Sequence, residues 1–277
     1  MKKNGWNLGF SFPLPDRVAV KPRTEGLTMI IDKGTGLRQT LNILEMCSEY
    51  IDYWKLSFGS SALYSPQTLR KKIELVNSFN VKAYPGGTFL EIAYAQCRLD
   101  TYLRRAFELG FPTIEVSDGT IQLSPRERSQ IIRYAREVGF EVISEIGKKA
   151  GDEDFIPLFM AEQVNRDLDD GALKVIMEAR ESGKSVTIYN NQGNIEQEKL
   201  NDFLNDVAKQ ESIMWEAPLK GQQIDFITMF GPNVSLGNIQ PDEVIALESL
   251  RTGMRADTFI LSLSSKHQDY SSDYFPV

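Results

Sequence analysis

The amino-acid sequence predicts a single (β/α)8 barrel that spans residues 1–277. Eight short β-rich segments alternate with longer helical patterns, and no low-complexity linker divides the chain. The segments begin 21 to 39 residues apart, which is the room that a strand, a helix and two short loops need. With 42% hydrophobic and 25% charged residues, the composition is ordinary for a globular protein of this class.

The eight predicted strands are short runs rich in β-branched and aromatic residues. In chain order they begin at Leu27, Asp52, Val81, Thr113, Glu141, Leu173, Ser212 and Asn233. We expect residues 1–26 to form a lead-in and residues 262–277 a tail, both packed outside the barrel.

Capping residues mark several of the predicted helices between these strands. Ser65 precedes Pro66 and Ser124 precedes a second proline, and each pair predicts a helix with a capping serine and a proline in its first turn. Glu127, three residues after Ser124, completes the pattern of a capping box. The other predicted boundaries are helix ends at Gly110, Gly139, Gly171 and Gly253 and a helix start at Pro241.

The composition argues against several classes of function. Lys and Arg number 31 against 38 Asp and Glu, and the net charge of -7 argues against a nucleic-acid binder. The single histidine, His267, cannot build a zinc site of several imidazoles, and Cys47 and Cys97 are expected to be buried thiols. No apolar run approaches the roughly 20 residues of a membrane span, and the N-terminus lacks the apolar core of a signal peptide. We therefore expect a soluble, cytoplasmic protein that does not contact a membrane.

Charged residues gather where the predicted strands end. The loops that follow the strands carry the active sites of barrel enzymes, so these positions are the candidates for chemistry. They are Asp32, Lys33, Lys55, Glu115, Glu145, Lys148, Lys149, Glu178, Arg180, Glu216 and Lys220. Solvated loop charges are the alternative, but five of the eight segments end in a carboxylate, which favours one convergent site.

The residue types at these ends indicate a metal-assisted reaction on an anion. Carboxylates without imidazole or thiolate suit an oxygen-liking cation such as Mg²⁺, while lysine and arginine suit an anionic substrate. Barrels often bind phosphate near their last two strands, where the turn 237–241 is a candidate and a plain strand-to-helix turn the alternative. The glycine pair 86–87 fits an oxyanion contact and a tight turn equally well. The segment 34–36 lacks the third glycine of a dinucleotide loop, so no nucleotide cofactor is inferred.

Short sequence strings at the strand ends resemble one known family. In chain order they are DKGTG, DYWKLSFG, YPGGT, EVSDGTI, EIGKK, EARESG, EAPLKGQQ, GNI and ALESLRTGMRADT, and they cover residues 26–259. Together they resemble the phosphosulfolactate synthase family of (β/α)8 barrels. The resemblance implies a magnesium-dependent enzyme that adds sulfite to phosphoenolpyruvate and forms 2-phospho-3-sulfolactate, in archaea on the route to coenzyme M. Its partners would then be these small molecules, and a homo-oligomer is left open.

The resemblance also implies a role for each strand-end residue. Lys148 is expected to donate a proton, with Lys149 as the rival donor. The carboxylates expected to hold the metal ion are Glu115, Glu145, Glu178 and Glu216. The residues expected to bind substrate are Asp32, Lys33 and Lys55 at the carboxylate or sulfite, and Arg180, Lys220, Gly237 and Asn238 at the phosphate.

Two other functions stay open on the sequence alone. One is another magnesium-dependent barrel, a lyase or aldolase acting on a different enolpyruvate-like acid, because a count of charges does not separate these reactions. The other is a non-catalytic, stress-related barrel of the same family, since plant relatives are associated with heat tolerance. The charged strand ends argue against the second alternative, because solvation alone does not call for charges at these positions.

Overall fold

Eight β-strands form the centre of the computed structural model, which describes residues 6, 11–147 and 156–264 of the chain. They are β1 (Thr28–Asp32), β2 (Tyr53–Leu56), β3 (Lys82–Pro85), β4 (Thr113–Val116), β5 (Glu141–Ile146), β6 (Lys174–Met177), β7 (Ile213–Glu216) and β8 (Ser235–Ile239). Almost every strand residue is buried, as expected for parallel strands covered on both faces. Each strand begins within two residues of its predicted start, so the predicted strands are confirmed.

The strands form a nearly closed barrel with the hydrogen-bonded order β3-β2-β1-β8-β7-β6-β5-β4. Every ladder is parallel, and one of them pairs β1, the first strand, with β8, the last. β3 and β4 lie side by side without a ladder among the described residues, and we call this gap the seam. The predicted (β/α)8 barrel is therefore confirmed, with one seam in the ring of strands.

Helices surround the strands and pack their apolar faces on the outside of the barrel. In the described part of the chain they are α1 (Leu37–Cys47), α2 (Pro66–Ser78), α3 (Gly87–Ala95), α4 (Leu99–Leu109), α5 (Pro125–Val138), α6 (Pro157–Asp169), α7 (Gln197–Asn205), α8 (Lys220–Phe230), α9 (Val244–Arg251) and α10 (Ala256–Ser264). Two helices, α3 and α4, connect β3 to β4 across the seam. None of these helices is long and apolar enough to cross a membrane.

Large side chains fill the barrel interior below the carboxyl ends of the strands. The members of this buried cluster are Leu27, Met29, Tyr53, Tyr84, Ile143, Ile176 and Met214. Side chains on a strand alternate between its two faces, so the residue two positions further along points the same way. Two positions beyond Tyr53, Ile143 and Met214 come Lys55, Glu145 and Glu216. Charged side chains therefore form the next layer, at the end of the barrel that we call the mouth.

The predicted helix starts are confirmed where capping residues mark them. The Ser65 hydroxyl accepts a hydrogen bond from the Thr68 amide at 3.2 Å, as a capping serine does. Ser124 and Glu127 form a capping box at the start of α5, where the Ser124 amide donates to Glu127 Oε2 at 2.8 Å. Gly139 ends α5 with a φ of 113°, in the left-handed region that favours glycine.

Two local expectations are wrong. Helix α9 begins at Val244 and not at Pro241, because residues 241–243 form a separate turn before it. Cys97 is exposed, because it lies in the short connection between α3 and α4 and not within a helix. Cys47 is buried as expected, and burial raises the pKa of its thiol to about 11.

The described part of the lead-in lies along the amino-terminal ends of the strands, the end of the barrel that we call the foot. The Leu14 amide donates to the Thr252 carbonyl at 3.1 Å, and the Gly26 amide donates to the Asn233 carbonyl at 2.6 Å. These bonds tie the lead-in to the residues that flank α9 and precede β8. The predicted tail begins inside α10, and residues 265–277, with His267, lie outside the described residues.

Candidate active site

A buried lysine surrounded by three glutamates lies at the centre of the mouth. Lys55 Nζ is 2.8 Å from Glu145 Oε2, 3.0 Å from Glu115 Oε2 and 3.5 Å from Glu216 Oε1. Burial alone would lower the pKa of Lys55, but the three carboxylates outweigh it and raise that pKa well above its ordinary value. Lys55 is therefore a permanent cation shared by glutamates from β4, β5 and β7.

Backbone amides hold two of these glutamates in place. The Gly87 amide donates to Glu115 Oε1 at 2.6 Å, and the Ala179 amide donates to Glu216 Oε2 at 2.9 Å. A Cβ atom at Gly87 would lie 2.8 Å from Glu115 Oε1 and 2.7 Å from Ser117 Oγ, so the close approach requires glycine. The glycine pair 86–87 thus begins α3 and contacts a carboxylate of the protein, which favours the tight turn over an oxyanion contact.

Glu178 lies directly after β6, next to the turn that follows β5. Its Oε1 accepts a hydrogen bond from the Arg180 amide at 2.5 Å, and the side chain is buried. Gly147 has a φ of 119°, and a Cβ atom there would lie 2.8 Å from both Glu178 Cβ and Thr187 Cγ2. The chain therefore leaves β5 at the mouth in contact with the β6 loop. Lys148 and Lys149 come next, and they lie outside the described residues.

The four glutamates predicted to hold a metal ion have the oxygen chemistry that Mg²⁺ prefers. In residues 11–147 and 156–264, however, no three His, Cys, Asp or Glu side chains are arranged around one metal position. The ammonium group of Lys55 contacts three of these glutamates instead. Mg²⁺ usually takes one or two carboxylates and completes its shell with water and substrate oxygens. The donor set therefore fits an ion that is bound together with substrate, and not a shell built from protein alone.

Asp32 contacts its own loop and not the centre of the mouth. Its Oδ1 accepts hydrogen bonds from the amides of Gly34 at 2.8 Å and Thr35 at 2.7 Å. Its Oδ2 accepts from Trp54 Nε1 at 2.7 Å and pairs with Lys72 Nζ at 2.5 Å. Burial favours the neutral acid, but Lys72 and these donors hold the pKa of Asp32 below its ordinary value. With both oxygens engaged, Asp32 shapes the β1 loop.

Two of the predicted substrate cations lie at the rim of the mouth. Lys33 Nζ is 2.5 Å from Glu181 Oε1, and this pair joins the β1 loop to the β6 loop with both side chains partly exposed. Arg180 is exposed and has a φ of 58°, in the left-handed region that costs energy for a residue other than glycine. A strained rim residue of this kind is typical of ligand-binding loops.

Lys220 lies farther out, at the first residue of α8. Its Nζ is 3.1 Å from Asp257 Oδ1 on α10, and both side chains are partly exposed. This ion pair connects two outer helices. Within the described part of the chain, the polar contacts of Lys220 are with Asp257 and not with the Lys55 cluster.

Gly237 and Asn238 close the mouth on the β8 side. A Cβ atom at Gly237 would lie 2.6 Å from Met29 Cε and 3.6 Å from Glu216 Cγ, so glycine leaves space inside the barrel. Asn238 is buried with a φ of 55°, and its Nδ2 donates to the Arg180 carbonyl at 3.4 Å. Its Oδ1 has no hydrogen-bond partner among the described residues. A buried amide with spare hydrogen-bonding capacity beside Arg180 fits a ligand contact.

Sequence comparison assigns this arrangement to a family. The family described as (2R)-phospho-3-sulfolactate synthase (ComA) matches residues 16–257 of the chain. The chain belongs to the phosphosulfolactate synthase family. This confirms the resemblance in the strand-end strings, and the matched region includes every predicted site residue.

Similar proteins cover this family member almost from end to end. The phosphosulfolactate synthase of Methanothermobacter thermautotrophicus is 42% identical and covers 90% of this chain and 96% of its own. The Methanocaldococcus jannaschii enzyme of the same name is 40% identical over 84% and 94%, and that of Bacillus subtilis 34% over 91% and 99%. Among solved structures, 3-hexulose-6-phosphate synthase from Salmonella typhimurium has a TM-score of 0.51 at 12% identity and covers 87% of this chain and 100% of its own. That likeness supports the barrel fold alone.

The sequence prediction for this phosphosulfolactate synthase family member does not name several buried charges, among them Glu91 and Arg128. Glu91 on α3 accepts hydrogen bonds from the amides of Gly119 at 3.1 Å and Thr120 at 3.0 Å, so it holds the β4 loop. Arg128 on α5 is buried against strand β5. The sequence could have indicated that both residues are buried, because each lies in a helix at a position where the apolar spacing predicts a core residue.

Proposed function

We propose that this chain catalyses the addition of sulfite to phosphoenolpyruvate, giving 2-phospho-3-sulfolactate. The observation that carries the proposal is the Lys55 cluster at the mouth, in a chain 42% identical to a relative named phosphosulfolactate synthase. The family description names the 2R isomer, so we propose that stereochemistry for the product. We also propose that the reaction takes place in the cytoplasm.

The reaction needs stabilisation of negative charge and one proton. The sulfur lone pair of sulfite forms a bond to the methylene carbon of phosphoenolpyruvate, and the electrons of the carbon–carbon double bond move toward the carboxylate. The product of this step is an aci-carboxylate dianion, and a proton then adds to carbon 2 while the phosphate ester stays intact. Positive charge placed close to the substrate carboxylate lowers the energy of the dianion. Neither step requires imidazole or thiolate.

The cations of the mouth that can supply this charge lie at the rim, where Lys33 and Arg180 are available for the anionic groups of the substrates. Lys55 lies below them, and its charge holds together the three glutamates that contact it. A Mg²⁺ ion, when bound through some of the glutamates 115, 145, 178 and 216, supplies further positive charge beside the substrate carboxylate. Exclusion of water from the buried layer strengthens the interactions of a charge bound there relative to those of the exposed rim.

The proposed proton donor is Lys148, with Lys149 as the rival. Gly147, the residue before Lys148, lies at the mouth against Glu178, so the chain enters this segment beside the glutamates. An amine that has a second cation next to it gives up its proton more readily, because the neighbouring charge disfavours the protonated form. A lysine pair following Gly147 therefore fits general acid catalysis at carbon 2.

The cluster also distinguishes this proposal from the non-catalytic alternative. Burying several carboxylates with one ammonium group costs desolvation energy that apolar packing avoids. A barrel with no chemistry at its mouth gains nothing from that arrangement. A lyase or aldolase that acts on another enolpyruvate-like acid remains the second candidate, because it would use the same charges.

The test is ³¹P NMR of purified protein mixed with phosphoenolpyruvate, sulfite and MgCl₂. We expect the phosphoenolpyruvate signal to be replaced by that of a sulfonated phosphate ester, with no inorganic phosphate released. EDTA in excess over Mg²⁺ should stop turnover, and added Mg²⁺ should restore it. Samples without sulfite are the control. Phosphate release without sulfite, or no change with any metal tried, contradicts the proposal, and full turnover in EDTA contradicts the metal assignment.

A further inference from the structure

Arg128 is an almost completely buried arginine between α5, α6 and the end of β5. Its guanidinium group pairs with Asp167 on α6, with Nε 2.9 Å from Oδ1 and NH2 2.6 Å from Oδ2. Arg128 NH2 also donates to the Glu145 carbonyl at 2.9 Å, and NH1 donates to Asp118 Oδ1 at 2.8 Å. One side chain therefore joins a helix, a strand end and the loop after β4.

The Glu145 carbonyl lies just beyond the last residue pair of the ladder between β4 and β5. Carbonyls of successive strand residues point to opposite neighbours, and the Ile146 carbonyl accepts from the Glu178 amide on the β6 side. The Glu145 carbonyl consequently points toward β4. The ladder between β4 and β5 stops at the pair Val116 and Ser144. The guanidinium group of Arg128 donates to this carbonyl, which belongs to the residue whose side chain contacts Lys55.

Asp118 extends the same support to the β4 loop. It lies three residues beyond Glu115, and its carboxylate accepts from NH1, whereas Asp167 accepts from Nε and NH2. Glu115 and Glu145 come from adjacent strands and both contact Lys55 Nζ. Arg128 is thus placed to fix the separation of the two strand ends that carry these glutamates.

We propose that Arg128 is a positioning residue for the mouth, acting through the Glu145 backbone and through Asp118 on the geometry of the Lys55 cluster. This inference rests on the proposed function for its link to turnover. A buried arginine–carboxylate pair seldom adds net stability over apolar side chains of the same size. The presence of this buried pair is instead explained by the contacts that Arg128 makes at the ends of β4 and β5. Displacement of catalytic groups by about 1 Å can reduce turnover by about 10²-fold, so such support matters.

The first experiment replaces Asp118 and leaves the buried pair of Arg128 and Asp167 intact. We expect Asp118→Ala to lower kcat by about 10-fold, with KM changed by less than about 3-fold, because the substrate contacts remain while the geometry loosens. Arg133→Gln is the matched control. Arg133 pairs with Asp170 across the same two helices, with Nε 2.8 Å from Oδ1, and it contacts neither strand end. That variant should keep wild-type kcat and KM.

A second variant removes the guanidinium group without leaving a buried charge. In Arg128→Gln combined with Asp167→Asn, the two amides can hydrogen-bond to each other, but the Glu145 carbonyl and Asp118 lose their donor. Amide hydrogen exchange followed by mass spectrometry should speed up in peptides covering residues 116–120 and 143–147, while exchange in β1 and β8 stays at the wild-type rate. A purely structural role would instead speed exchange throughout the barrel.

The exchange measurement needs no substrate, so it separates the two proposals. If the wild-type protein makes no product, the proposed function fails, and local exchange still decides the role of Arg128. Wild-type exchange at residues 143–147 in the double variant overturns the positioning role. Wild-type kcat in Asp118→Ala, measured on an active wild-type preparation, also overturns it. Should the double variant fail to fold, the same exchange measurement on Asp118→Ala decides the role of Arg128.

Discussion

The two ends of the barrel both bury charged side chains, but they pair them differently. At the foot, Arg251 is completely buried and donates to the carbonyls of Pro232 and Val234, each at 2.6 Å, and to that of Leu27 at 3.2 Å. Arg17 and Glu248 form a one-to-one pair with Arg17 Nε 2.9 Å from Glu248 Oε1. At the mouth, one ammonium group serves three carboxylates.

The difference separates charges that hold the fold from charges that serve the reaction. At the foot each cation is matched to backbone carbonyls or to one carboxylate, and a change there should lower stability. At the mouth the glutamates outnumber the cation that contacts them, an arrangement that stability alone does not favour. Substitutions at the foot should therefore lower the free energy of unfolding, whereas substitutions at the mouth should lower kcat.

The largest expected effect is at the foot, in Arg251→Met. The Pro232 and Val234 carbonyls lose the guanidinium donor, while the Leu27 carbonyl keeps its bond from the Leu236 amide. A completely buried side chain is also replaced, so we expect the free energy of unfolding to fall by about 3 kcal/mol. Urea unfolding followed by circular dichroism measures this change. The folded fraction should keep wild-type KM. Arg255→Met, at a partly exposed arginine in the same segment, is the control and should change stability by less than about 0.5 kcal/mol. If the two variants were equally stable, the buried charge at the foot would not be holding the fold, and the comparison of foot and mouth would fail.

Next in size is Lys148→Arg, in the segment that follows Gly147. Arginine keeps the positive charge but is too basic to release a proton, so we expect turnover to fall by about 10²-fold. Steady-state kinetics should show this loss in kcat while KM and the urea midpoint stay near wild type. Lys149→Arg is the matched variant next to it. Near-normal kcat in Lys148→Arg, together with a loss of kcat in Lys149→Arg, would assign the role of proton donor to Lys149.

The smallest effect is expected for Glu216→Gln. Lys55 keeps two carboxylate partners, and the amide oxygen of glutamine can still accept from the Ala179 amide, so the free energy of unfolding should change by less than about 1 kcal/mol. Glu216 is one of the carboxylates proposed to hold Mg²⁺, so loss of its negative charge should weaken metal binding and lower kcat by about 10-fold. Urea unfolding and initial rates measured on one preparation compare the two effects. A loss of stability as large as that of Arg251→Met would contradict the comparison.

Much of the barrel could be predicted from the sequence because strand runs and caps are local signals. The start of α5 is an example, since Ser124, Pro125 and Glu127 specify its first turn within four residues. The carboxylates at the strand ends were predictable for the same reason. What the sequence does not contain is the distance between side chains on different strands, so Lys55 was expected at a substrate and is found among glutamates.

Asp32 and Glu115 show where local reasoning stops. Both lie at the carboxyl end of a strand and look equivalent as strand-end carboxylates. Asp32 shares the face of β1 with Ile30, which packs outside the barrel, so its carboxylate contacts Lys72 of α2 and the amides of its own loop. Glu115 lies on the inner face of β4 and contacts Lys55 at the centre of the mouth. Arg128 was missed although residues 128, 131, 132 and 135 share the buried face of α5, because a charge at such spacing is easily taken for a solvated one.

The seam between β3 and β4 gives the protein a natural place to be divided. A break in the connection between α3 and α4, where Cys97 is exposed, cuts no strand ladder of the described chain. It leaves one fragment with strands β1 to β3 and another with β4 to β8. The ladder between β1 and β8 then becomes the interface through which two separately produced halves recognise each other. Lys55 would lie in one half and all three of its glutamates in the other, so reassembly of the fragments would also restore the charge cluster.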